Sequence, residues 1–94
     1  MTQAQVCSRA TKVGLAAFAE LRDQMLRRLP LIRRMALAAD ADLVDEAPDR
    51  FAVVLTWADG QTWRRTLTRA DAGFVSYCRI MRETARQALE ARGV

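Results

Sequence analysis

Ninety-four residues, 51% of them apolar, fit one small domain with a thin core and exclude a disordered chain. There is no histidine, which removes the commonest general base and the commonest neutral metal ligand. The net charge is +4 but uneven: seven basic and two acidic residues lie in 1–37, one basic and five acidic in 38–50, and seven basic and four acidic in 51–94.

All basic residues except Lys12 are arginine. Arginine suits phosphate and carboxylate recognition. The 17 alanines point to a simpler source for the same bias, a GC-rich coding sequence. The N-terminal "MTQAQVCSRATK" has no apolar core of the kind a signal peptide needs. Charges interrupt every apolar window of about 20 residues, so no membrane span is expected and the expected location is cytoplasmic.

Residues 4–29 read as a long amphipathic helix. Cys7, Gly14, Phe18, Leu21, Met25 and Leu29 recur on one face. Gly14 on that face would let another backbone approach. Pro30 ends or kinks the helix, and a short second helix follows over 31–39, with Leu31, Ile32, Met35, Ala36 and Ala39 toward the core. "DADLVDEAPDR", 40–50, reads as an acidic connection.

"FAVVLTW" (51–57) and "QTWRRTLT" (61–68) are β-type runs around "ADG". A three-residue loop with Gly60 left-handed pairs Phe51 with Leu67, Val53 with Arg65, Leu55 with Trp63 and Trp57 with Gln61. One apolar face results: Phe51, Val53, Leu55, Trp57, Trp63 and Leu67. A two-residue loop would mix the faces. Thr68 and Asp71 resemble a capping box for a last helix over 69–91, ended by Gly93. Its expected core stripe is Phe74, Tyr77, Cys78, Met81, Ala85, Ala88 and Leu89, which leaves Ile80 outside the core. The expected fold is a small single α+β domain, 1–94, in the order α-α-β-β-α, with an antiparallel hairpin packed against two long helices.

The chemistry is sparse. Cys7 and Cys78 are expected as buried thiols on core faces. Asp40, Asp42, Asp45, Glu46 and Asp49 lack the spacing of a calcium loop and read as solvated. No phosphate-binding loop or nucleophile elbow is present. No catalytic residue, cofactor or metal is implied, and an enzyme is not expected. Arg79 and Arg86 precede Glu83 and Glu90 by four residues, a surface ion-pair ladder. Trp57 and Trp63 are expected to close the core rather than to stack on bases.

"RRLPLIRR", 27–34, remains. Arg27 and Arg28 sit where a helix C-terminus favours cations. Arg33 and Arg34 lie near the start of the next helix, so the dipole does not explain them. Together they form a corner able to take a phosphate or a partner's carboxylates. Arg27, Arg28, Arg33, Arg34 and Arg82 are the candidate partner-binding residues. The expected function is a non-enzymatic protein–protein interaction module of the regulator, adaptor or mobile-element-encoded inhibitor type, acting on a protein with an acidic surface. A homodimer would help cover the leftover apolar surface. The alternative is a nucleic-acid-binding accessory protein using the same arginines.

Overall fold

The computed structural model describes residues 14–72 and 76–93. The expectations for Cys7, Phe74 and the Asp71 side chain lie outside the described residues. The chain forms a small α+β domain: helices, then a three-stranded antiparallel sheet, then a C-terminal helix.

Helix α1, Leu15–Arg27, buries Phe18 and Met25. Gly14 is its N-cap, in extended conformation and exposed. Among the described residues a Cβ there would meet nothing within 4 Å, so none of them makes the close backbone approach expected at Gly14. Arg28 breaks the helix at φ −106°, and α2, Leu29–Met35, resumes with proline in its first turn. The break is where it must be. Proline has no N–H to offer the carbonyl four residues back, and its ring disfavours helix just before it.

The acidic segment is the main departure from expectation. Asp40–Ala47 is not a connection but strand β1. It pairs antiparallel with β2, Arg50–Thr56, placing Ala41 opposite Leu55 and Leu43 opposite Val53. "DADLV" alternates polar and apolar residues. That period of two turns Ala41 and Leu43 inward and leaves Asp40 and Asp42 outside. The carboxylates had made the run look like a loop; they are the solvent face of an edge strand. A register shift near Glu46 and a turn at Pro48 and Asp49 join β1 to β2.

The hairpin of β2 with β3, Thr62–Thr68, has the expected register, including Phe51 opposite Leu67 and Leu55 opposite Trp63. Ala58, Asp59 and Gly60 form the loop. The Trp57 N–H donates to the Gln61 carbonyl at 2.9 Å, and Gly60 adopts φ +87°. Trp57 closes the core as expected. It is 6% exposed, its indole N–H donates to the Ala36 carbonyl at 3.0 Å, and the Arg92 guanidinium lies 4.4 Å from the ring centroid. Trp63 is half-buried against the same core.

The expected helix 69–91 is interrupted. A short turn, α3, spans Arg69–Ala72, and α4 spans Tyr77–Ala91. Ser76 is extended and caps α4, its Oγ accepting from the Arg79 N–H at 3.3 Å. The restart changes the buried face. Ile80, Met81, Thr84, Ala85 and Ala88 are buried, whereas Cys78 is exposed. Both the buried Cys78 and the outlying Ile80 of the sequence reading are therefore corrected. Gly93, at φ +78°, ends the helix as expected.

The inward Arg65 is accommodated by α4. Its Nη1 donates to Thr84 Oγ1 at 2.8 Å, and the Thr84 hydroxyl donates to the Ile80 carbonyl at 2.7 Å. A buried threonine bonding the carbonyl four residues back satisfies its own hydroxyl. No helix among the described residues is long and apolar enough to cross a membrane.

Candidate protein-interaction corner

Most described arginines are committed within the molecule. Arg22 forks onto Asp45, Nε to Oδ1 at 2.8 Å and Nη2 to Oδ2 at 2.6 Å. This hydrogen-bonded pair holds the Asp45 carboxyl below the usual range and raises the Arg22 guanidinium. Glu46 takes Arg64 and Arg50, and its carboxyl is lowered chiefly by the Arg64 hydrogen bond. Arg92 binds Asp59 at 3.0 Å and lowers its carboxyl, helped by the Gln61 N–H. Arg79–Glu83 and Arg86–Glu90 form the expected ladder. Such exposed pairs contribute little each.

Arg28 belongs to this committed group. Its Nη1 donates to Gln24 Oε1, and its guanidinium covers the Tyr77 ring at 4.4 Å from the centroid. It ties the corner to the start of α4. Arg64 finds Glu46 across the sheet.

Arg27, Arg33, Arg34 and Arg82 are different. Among the described residues none of their side chains has an ion pair, hydrogen bond or ring contact. Arg27, Arg33 and Arg34 gather around the Pro30 corner; Arg82 stands on the exposed face of α4. Helix α2 ends sooner than the sequence suggests. This places Arg33 and Arg34 in its last turn rather than near its start. The helix-terminal field favours them there after all, but no carboxylate within the described fold uses them.

The corner is also apolar. Leu26, Leu31 and Leu37 are 42%, 38% and 69% exposed. Leu37 is the most telling. Its N–H donates to the Arg34 carbonyl at 3.1 Å, and the Ala38 N–H donates to the Arg33 carbonyl at 2.9 Å. These two bonds make a Schellman motif, which requires a left-handed residue at Leu37, and φ there is +57°. Glycine fits that position without strain; an L-residue pays about 1–2 kcal/mol. A strained leucine with most of its surface in water serves neither the backbone nor the core. Sequence reading had placed residue 37 inside a helix over 31–39, and Leu31 in the core. No glycine marked the true stop, so nothing in the sequence singled out Leu37.

A cleft of about 380 Å³ lies between α1 and the β1–β2 turn, away from the corner. Phe18 and Phe51 line it, together with Arg22, Asp45, Glu46 and Arg50. Its charges are already paired with one another. It offers no nucleophile beside a base. Among the described residues no group of three or more carboxylates or cysteines could hold a metal ion. No family model matches the chain, and neither curated proteins nor solved structures match it.

Proposed function

We propose that this protein is a non-enzymatic interaction module and that the Pro30 corner is its binding face, directed at a protein surface bearing carboxylates. The observation that carries this reading is the company Leu37 keeps. A strained, exposed leucine follows Arg33 and Arg34 at the end of α2, and neither arginine side chain is engaged by a described residue. An apolar anchor ringed by cations suits a protein partner, since a buried apolar centre with a charged rim is how such interfaces are built. A nucleic-acid face would use arginine with stacking aromatics. Here Trp57 is buried and Tyr77 is covered by Arg28.

The test compares the wild-type protein with Arg33→Ala/Arg34→Ala. The double variant is expected to keep its stability within about 0.5 kcal/mol, because neither side chain has a partner among the described residues. It is expected to weaken a reconstituted protein complex about tenfold or more. Fluorescence-anisotropy titration with duplex DNA and single-stranded RNA at physiological salt is expected to find no sub-micromolar binding. Tight, steeply salt-dependent binding to either, lost in the double variant, would replace this reading with the nucleic-acid one.

A further inference from the structure

We infer that the open edge of the sheet along β3 takes up an extended, acidic segment of another protein as an added strand. The edge uses none of the residues of the Pro30 corner, so the inference does not rest on that reading.

The backbone decides which groups are on offer. The order β1–β2–β3 leaves β3 with one neighbour. At the hairpin end the Trp57 N–H donates to the Gln61 carbonyl at 2.9 Å. Bonded and non-bonded pairs alternate from there along an antiparallel ladder. Trp63, Arg65 and Leu67 therefore exchange bonds with Leu55, Val53 and Phe51, while Thr62, Arg64 and Thr66 turn their N–H and C=O groups away from β2. The same alternation turns the Thr56 carbonyl toward β1, where it accepts from the Ala39 N–H at 2.8 Å. Thr62, Arg64 and Thr66 are exposed, and no described residue takes their outward backbone groups.

The two edges of the sheet are not alike. β1 is guarded as edge strands usually are. It carries Asp40, Asp42, Asp45 and Glu46, shifts register between Asp45 and Ala47, and runs into Pro48. β3 keeps an unbroken register from Thr62 to Thr68 and has neither proline nor lysine. Its two charges lean away from the edge: Arg64 crosses the outer face to Glu46 on β1, and Arg65 reaches Thr84 on α4. What remains at the rim is threonine, short and suited to extended backbone.

Arg65 sets the chemistry of the occupant. It is half-buried, and its Nη1 donates to Thr84 Oγ1 at 2.8 Å and to the Ile80 carbonyl at 3.5 Å. No carboxylate among the described residues pairs with it. A partly desolvated guanidinium with spare donors favours one. A strand added to β3 places a side chain about 5 Å from Arg65 on the same face, and a glutamate or aspartate there completes the pair. A second copy fits poorly. Two β3 strands matched about a two-fold axis through their centres set Arg65 against Arg65. The β1 strand of another copy is acidic, but that contact never closes and grows into fibres. The occupant is thus a strand of a different protein, held by main-chain hydrogen bonds and selected by its carboxylate.

The probe is a capped heptapeptide of alternating valine and glutamate. Titrated into isotope-labelled protein, it is expected to shift the Thr62, Arg64 and Thr66 amide resonances most, and to saturate. Methylating the peptide's backbone nitrogens, or replacing its glutamates with lysine, should weaken binding about tenfold or more. Thr66→Pro should do the same, since it removes an outward N–H and leaves the β2–β3 bonds in place. Should that variant lose its far-UV circular dichroism, the methylated peptide carries the test alone. Arg33→Ala/Arg34→Ala should bind the peptide as the wild type does. The inference is overturned if those amides do not move up to millimolar peptide, or if the methylated peptide binds as tightly. Loss of binding in Arg33→Ala/Arg34→Ala overturns it too, because the peptide would then sit at the corner. So does slow hydrogen exchange of the three amides in the free protein, which would mean that the edge is already covered. Residues 1–13 are the cover if that protection is independent of protein concentration, and a second copy is if it grows with concentration.

Discussion

Phe51→Ala is expected to bring this domain close to unfolding at room temperature. Phe51 is 1% exposed and lies at the centre of the sheet's inner face, opposite Leu67 and beside Val53. Its ring meets that of Phe18 at 5.2 Å between centroids and so ties α1 to the sheet. Truncation of a buried phenylalanine costs about 3–5 kcal/mol through lost transfer energy and the cavity left behind. A domain of this size holds only about 5–14 kcal/mol in all. The Phe18 ring loses its tilted partner in the same step, and α1 with it. Urea denaturation monitored by tryptophan fluorescence is the check. A midpoint near that of the wild type would mean that the core is organised elsewhere.

A second large effect is expected on α4, and it distinguishes two phases of one helix. Ile80→Ala should cost about 2–4 kcal/mol, because Ile80 is 1% exposed and its side chain belongs to the buried core. Cys78→Ser should lie within about 0.5 kcal/mol of wild type, because Cys78 is exposed. A continuous helix from Thr68 would give the reverse order. Thermal unfolding of the two variants side by side decides the matter.

That pair also shows how far the sequence could be read. The hairpin was legible to the residue because its signals agree: β-branched and aromatic runs, a fixed loop length and a glycine where positive φ is required. The C-terminal helix was legible in type but not in phase. The expected stripe assumed unbroken helix from Ala70. Ser76 resets the start, and the true stripe passes through Thr84, whose hydroxyl hides it from a count of apolar residues. Strand β1 was missed because its outward residues are carboxylates, which resemble a solvated loop when read alone. Only the alternation of Ala41 and Leu43 with Asp40 and Asp42 gave it away.

The candidate site divides in the same manner. Arg27, Arg33, Arg34 and Arg82 were named from the sequence, and the fold leaves them without partners among its described residues. Arg28 was named with them, yet Tyr77, 49 positions away, takes it. No local pattern encodes a cation–aromatic contact at that separation. Leu26 and Leu37 were invisible for the opposite reason, since leucine in a helical context reads as core. Their exposure follows from the kink at Arg28 and the early stop at Leu37, both tertiary outcomes.

The central claim is that the Pro30 corner holds side chains the fold does not need, and Leu37→Gly tests it most directly. The substitution relieves an L-residue at φ +57° while the Schellman hydrogen bonds stay in place. Relief of the left-handed strain is partly offset by the greater freedom glycine gives the unfolded chain. The unfolding free energy in dilute solution, measured by urea titration below the concentration at which any dimer forms, should stay equal to wild type or rise by up to about 1 kcal/mol. A loss of more than about 1 kcal/mol would contradict the account, because Leu37 would then be spent on packing within its own chain and would have nothing to offer a partner.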